Sequence, residues 1–250
     1  MAETRSDMQE RFPKIRTVGV DGMLVSFGAR LSEAANRAAL AFRAALATES
    51  WEGIEEVSTS LVSTYLRFDT VHLDHATLRS RLEQLLRTRD WYGADLPGKR
   101  RLWRIPAVFG TELAPQLPQA AAATGLSEEE AVASLTGARV RVQTIGFAPG
   151  QPYLGELPEA WDIPRQSQLT SRIPEGALAV AIRQLVLFSV STPTGWMHVG
   201  QTAVRLFRPE ADEPFLLRPG DEVQFAAIKA EQLEALRRDP LGGASAEALE

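Results

Sequence analysis

Cysteine is absent from the 250 residues, which excludes disulfides, thiolate nucleophiles and cysteine-ligated metals. Histidine is scarce: His72, His75 and His198 are the only three. His72 and His75 stand three apart, the spacing of a helical metal pair. They flank Asp74 at a strand–helix junction and read as solvated or capping residues, so no metal is expected. An excess of positive charge is lacking too. Lys and Arg number 27 against 32 Asp and Glu, a net of −5 with no basic block, which argues against nucleic acid or an anionic membrane as partner. No apolar run approaches the ~18 residues of a membrane span. Residues 1–13 lack the apolar stretch of a secretory signal, so they read as a disordered tail on a cytoplasmic chain.

Nucleotide and hydrolase motifs are also missing. There is no G-x-G-x-x-G, no G-x-x-x-x-G-K-[ST], no G-x-S-x-G and no H-E-x-x-H. His198 is the one histidine in the second half, which gives a Ser/His/Asp triad little basis.

What is present has an average globular composition, 44% hydrophobic and 24% charged, enough for a buried core. Alternation over 14–18, a turn around Asp21 and a return over 23–27 predict a hairpin. Ser32 opens an alanine-rich helix to about residue 47, with Ala35, Ala38, Ala39 and Phe42 on one face. Two strands over 54–60 and 61–68 follow, then a helix marked by Leu78, Leu82, Leu85 and Leu86. This order predicts an α+β sandwich of ferredoxin-like type over 14–98, with helices on one sheet face. A linker containing Asp95, Pro97 and Gly98 closes it.

A second domain is expected over 99–230. A strand near 101–106 and a short irregular helix within 112–123 precede Ser127-Glu-Glu-Glu130, a capping box that starts a helix stopped by Gly137. Apolar runs at 140–147, 177–182, 185–191, 196–199, 203–207 and 222–228, separated by Gly/Pro turns, predict a barrel or sandwich. Pro219-Gly-Asp221 turns into the last of these strands. A helix over 231–238 precedes a small-residue tail, 239–250, expected to be disordered.

The candidate site is the stretch Ile145-Gly-Phe-Ala-Pro-Gly-Gln-Pro-Tyr-Leu-Gly155. A strand breaks there into a loop stiffened by Pro149 and Pro152 and freed at Gly146 and Gly150, presenting Tyr153. Ordinary turn chemistry explains the same spacing. Arg165, Arg172, Arg183 and Arg205 follow in the β half. Arg165 or Arg172, framed by prolines, could clamp a carboxylate or phosphate, or sit on a barrel rim.

Taken in order, several segments resemble the family of the 5-oxoprolinase B subunit (PxpB), also called allophanate hydrolase subunit 1 or KipI. These are Gly146-Phe-Ala-Pro-Gly-Gln-Pro-Tyr-Leu154, Pro164-Arg165, Arg172-Ile-Pro-Glu-Gly176, Gln184, Thr194-Gly-Trp196, Gly200-Gln-Thr202 and Leu217-Arg-Pro-Gly-Asp221. In the first half the Gly19-x-Asp21 hairpin and the 61–69 strand agree as well. The resemblance implies a small α/β domain followed by a cyclophilin-like β-barrel. It further implies pairing with the homologous 5-oxoprolinase C subunit (KipA-like), and with the A subunit as a third member, to open 5-oxoproline to glutamate at the expense of ATP bound by the assembly. It places Tyr153, Arg165, Arg172 and Gln184 at the substrate, on a framework of Gly146, Pro149, Gly150, Gly176, Gly195 and Gly200.

The chain departs from the family pattern at polar positions. Ala133-Ser-Leu-Thr136 stands where a histidine is usual, Gln151 replaces the aromatic of Pro-Gly-Phe-Pro-Tyr, Ser171 replaces a proline, and Gln201 replaces the arginine of Gly-Arg-Thr-Pro. Losing such groups fits two further readings: a non-catalytic regulator that binds a sensor histidine kinase, or a carboxyltransferase-like subunit for a urea-type substrate with biotin on another chain.

Overall fold

The computed structural model describes residues 12–249, so all but the last two positions of the expected N-terminal tail lie outside the described residues. The chain divides into two compact units, one running to Pro97 and the other from Gly98.

The first unit is α+β. Strands β1 (Lys14–Val18) and β2 (Gly22–Ser26) form the hairpin, followed by helix α1 (Glu33–Glu49), strands β3 (Ile54–Thr59) and β4 (Ser63–Phe68), and helix α2 (His75–Leu86). The sheet order is β1-β2-β4-β3, every neighbour antiparallel. Ser32 and Asp74 cap the two helices through the amides of Ala35 and Thr77, satisfying donors a helix start leaves open. Met23, Val25, Leu66 and Phe68 alternate along β2 and β4 and meet Ala38, Phe42, Leu78 and Leu82 in one core. Fully burying a side chain such as Phe42 stabilises by about 1.5–3 kcal/mol. The Asn36 amide donates to Leu61 O (2.6 Å) and the Thr64 hydroxyl to Ala39 O (2.9 Å), fastening α1 to the sheet. His72 is exposed on Asp69 (2.6 Å), and His75 meets the Phe68 ring edge-on at 4.9 Å. No cluster of metal-ligating residues occurs among the described residues.

The second unit is a barrel. In chain order it holds β5 (Arg101–Phe109), α3 (Leu117–Thr124), α4 (Glu128–Gly137), β6 (Val140–Ile145), β7 (Pro152–Gly155), a single 3-10 turn at Glu159–Trp161, β8 (Thr170–Ile173), β9 (Ala177–Ala181), β10 (Gln184–Leu187), β11 (Thr192–Thr194), β12 (Met197–Gln201), β13 (Glu222–Ala227), α5 (Ala230–Leu236) and β14 (Ser245–Ala248). The order β12-β9-β10-β7-β6-β13-β5 closes on itself because Gly200 and Gln201 of β12 pair Phe109 and Val108 of β5. β12 thus covers the end of β5's outer edge and β14 covers its start. β13 runs parallel to β5 and the other pairings in the ring are antiparallel. Pro106 falls between the part of β5 that pairs β14 and the part that pairs β12, so the edge there has no strand to miss its amide.

The predicted capping box is present: Ser127 accepts from the Glu130 amide and Glu130 accepts from the Ser127 amide. Asp221 of the Pro-Gly-Asp turn is a buried clasp, accepting from the amides of Arg101 and Arg218, the Arg101 guanidinium (2.6 Å) and the Trp103 indole.

Two expectations are corrected. The segment 239–250 is not a loose tail as far as it is described. Asp239 Oδ1 accepts from the amides of Leu241 and Gly243, and β14 then pairs antiparallel with β5. The unit therefore continues past residue 230. A strand held by backbone bonds on an exposed edge needs no hydrophobic pattern, and all four β14 side chains are exposed. The run 203–207 forms no strand; Phe207 makes one isolated bridge to Phe215.

Candidate functional site

Strands β7, β10, β9 and β12 alternate their side chains between two faces. Leu154, Leu185, Leu187, Leu178, Val180, Met197 and Val199 enter the large interior core. The opposite face carries Ala177, Ala179, Ala181, Val186 and Phe188, which form a second cluster with Ile173, Trp196 and Tyr153. Registers align these residues in rows. Tyr153 lies opposite Val186, Val186 opposite Ala179, and Ala179 opposite His198. The alanines make a shallow floor, and the β8–β11 ribbon brings Ile173 and Trp196 against it.

At one end of this face lies an open cleft of about 280 Å³ lined by Tyr153, Arg165, Trp196, Gln151, Gln166 and their apolar neighbours. The Arg165 guanidinium sits 5.0 Å from the centre of the Trp196 ring, a cation–π contact of about 0.5–1 kcal/mol at an exposed site. Tyr153 meets the same ring edge-on at 6.1 Å. Gln166 straps the two segments together: its amide donates to Gly195 O (2.7 Å), its side chain donates to Trp196 O (2.9 Å) and accepts from Gln116 Nε2 (2.7 Å). No carboxylate pairs with Arg165 among the described residues, so its charge is available to a ligand. Phe147 and Leu169, 72% and 69% exposed, stand on the rim.

The loop from 146 to 151 is closed by Gly146 N–H donating to Gln151 O (3.0 Å) and Gln151 N–H donating to Ala148 O (3.1 Å). Gly150 has φ +73°, and a Cβ there would stand 2.9 Å from Leu206 O; at Gly176, φ +76°, it would stand 2.6 Å from Thr202 O. No side chain fits either place. Gly195 and Gly200 have ordinary φ and sit against Leu169 and Leu178, while Gly146 and the exposed Pro149 shape the loop without such crowding.

The structure brings Tyr153 and Arg165 into one cleft and places the other two predicted binding residues elsewhere. Arg172 is exposed, its Nε donating to Ser191 Oγ (2.8 Å). Gln184 is buried in the wall, its Nε2 donating to Gln143 Oε1 (2.7 Å), and that Gln143 amide fills the space over Gly155. The arginine series is likewise dispersed. Arg183 donates to Leu157 O and pairs with Glu156, and Arg205 pairs with Glu210. Length and charge in the sequence could not tell a clamp from a strut.

Two residues were missed as functional candidates. Gln166 left no signal. Gln151 did, because it interrupts the aromatic expected in its motif. It is 1% exposed and its Oε1 has no hydrogen-bond partner. His198 is on the same face but does not line the cleft; burial pushes its pKa down, with the Gly200 backbone and the Gln201 side chain opposing, and its Nε2 has no partner. The cleft lining contains no Asp, Glu, His, Lys or Cys. It can hold an anion and stack an apolar body, but it carries no group poised for acid–base exchange near neutral pH.

A four-stranded α+β unit followed by a closed barrel is the fold shared with carboxyltransferase-type proteins. The pattern of the family described as "Carboxyltransferase domain, subdomain C and D" matches residues 13–217. The chain is 30% identical over 234 residues to the B subunit of 5-oxoprolinase from Bacillus subtilis (strain 168), covering 90% of this chain and 97% of that one. It is 37% identical over 150 residues to the corresponding B subunit of Escherichia coli O157:H7, covering 59% and 69%. The chain belongs to the family of the 5-oxoprolinase B subunit. Among solved structures, TTHA0988 superposes with a TM-score of 0.70 at 32% identity, over 86% of this chain and 40% of that one. This chain thus spans about two fifths of that solved chain. Kluyveromyces lactis urea carboxylase shares the fold, with a TM-score of 0.71 at 17% identity, over 94% of this chain and 24% of that one.

Proposed function

We propose that this chain is one member of a hetero-oligomeric, ATP-dependent amide hydrolase that opens 5-oxoproline to glutamate, acting with the homologous 5-oxoprolinase C subunit and with the A subunit in the cytoplasm. The observation that carries the proposal is the composition of the cleft: a free Arg165 guanidinium beside Trp196 and Tyr153, with no acid or base of its own. Arg165 holds the substrate carboxylate by charge-assisted hydrogen bonds. The pyrrolidone ring lies against the aromatic edge, and Tyr153 orients it. Water must add across the lactam C–N bond, and the groups that move protons come from the partner. ATP also belongs to the assembly, since this chain has no phosphate-binding loop. Gln184 supports the wall behind the cleft, and Arg172, outside it, is left to the rim.

The test is reconstitution. The chain is purified with its co-eluting subunits and given 5-oxoproline and ATP. Glutamate release that falls on Arg165→Ala supports the reading. Unchanged release in Arg165→Ala and Tyr153→Phe overturns the site. A stable complex with a sensor kinase and no turnover would put the regulator in its place, a reading that the missing acid–base group also fits.

A further inference from the structure

We propose that Gln151 sets the specificity of the cleft, accepting a hydrogen bond from a ligand N–H next to the carboxylate that Arg165 holds. This rests on the substrate reading above and adds a selecting residue to it. Three observations support it. First, Gln151 is delivered by a fixed backbone: both its N–H and its C=O are bonded within the 146–151 loop, and Gly150 is locked against Leu206. Its side chain cannot drift away from the site with the loop. Second, it is two residues before Tyr153 on the same side of the chain, so the amide and the phenol look onto the same cleft. Third, its Oε1 is buried and unpartnered, an arrangement that proteins largely avoid and that calls for a reason.

The lining then specifies its ligand from both ends. Arg165 can only donate and so demands an acceptor, preferably an anion. Gln151 Oε1 can only accept and so demands a donor. The terminal amide torsion of a glutamine is soft, so Oε1 can turn to meet a group seated deep in the cleft. A small carboxylic acid with a neighbouring amide N–H meets both demands. The ester of the same shape, with ring oxygen in place of N–H, either sets lone pair against lone pair or, if the amide turns over, offers Nε2 only a weak ring-oxygen acceptor and leaves the buried carbonyl unpaired. Sites built on such a bond discriminate strongly against a ligand that cannot make it. An apolar aromatic at this position would lose that discrimination while still packing the ring.

The experiment measures binding of 5-oxoproline and of its lactone analogue, 5-oxotetrahydrofuran-2-carboxylate, to the full-length chain in its purified assembly. Wild type is expected to prefer the lactam by roughly 10- to 100-fold. In Gln151→Met, similar in length but without an amide, the preference falls to near unity with the thermal melt little changed. In Gln151→Glu both ligands weaken, since a second carboxylate faces theirs, but the ratio survives because the acceptor does. Equal binding of lactam and lactone by wild type overturns the role of Gln151 and leaves the substrate class standing, as does a preference that persists in Gln151→Met. Binding of neither compound overturns both.

Discussion

The two faces of one wall behave as different materials. Along β7, Leu154 points into the interior core and Tyr153 points out, though they are neighbours in sequence. The inner face is apolar on every strand. The outer face mixes alanines with Tyr153, His198, Gln184 and Trp196, and buried polar atoms there lack partners, among them Gln151 Oε1 and His198 Nε2. The interior therefore holds the shape, and the exterior keeps unspent hydrogen-bonding capacity close to an open cleft. Unsatisfied groups weaken a fold, and of those on this face Gln151 is the one in the cleft lining.

Substitutions on each face should separate stability from function. The largest loss is expected for Asp221→Ala, which strips five N–H donors of their acceptor beside the interior and leaves Arg101 without its carboxylate; denaturant unfolding should show about 3–5 kcal/mol. Leu154→Ala should cost about 2–5 kcal/mol while the protein that remains folded keeps its ligand affinity. Arg165→Ala reverses the pattern. Ligand binding or KM in the assembly should worsen by about 10- to 100-fold, the worth of a charged hydrogen bond, with the melting temperature little moved. If Arg165→Ala destabilised as much as Leu154→Ala, the division between faces would fail.

His198 sharpens the comparison through pH. Burial lowers its folded pKa, so below the ordinary value of about 6.5 the unfolded chain takes up a proton that the folded chain refuses. Stability should fall as pH drops through that value towards the folded pKa, then level off. His198→Gln should flatten this part of the profile in melts between about pH 5 and 7. The smallest effect on stability is expected for Tyr153→Phe, within about 0.5 kcal/mol. Its hydroxyl makes no hydrogen bond within the protein among the described residues, so its loss should be read in turnover instead.

Much of the fold was legible because local chemistry and long-range packing agree. Ser32, the Asp21 turn and the Ser127–Glu130 box each specify an element through bonds spanning a few residues, and the structure forms all three. β7, β8 and β11 were not legible as strands. They are three or four residues long, too short to show alternation; β7 pairs β6 across the 146–151 loop and β10 further along, while β8 and β11 pair with each other. β14 was missed for the reason that its side chains do nothing. At the site, sequence could pick out residue types suited to an anion but not which face each would take. Arg165 and Tyr153 converge because Gln166 straps the 165–166 segment to 195–196. Arg172 and Gln184, equally suitable by chemistry, are bound elsewhere by Ser191 and Gln143.

The position of β5 in the ring has a consequence for how the chain is made. β5 is the first barrel strand to be synthesised, yet its neighbours are β12, β13 and β14, the last three. At about 5–20 residues per second, β5 leaves the ribosome on the order of ten seconds before Glu222 and Val223 are available to pair with Leu102 and Trp103. During that interval both its edges are open to other nascent chains. Arg101 and Arg104, which end up paired with Asp221 and Glu247, meanwhile place two positive charges on the waiting strand, where repulsion between like strands delays their association. The same two arginines thus stand on an open strand first and on a paired one afterwards.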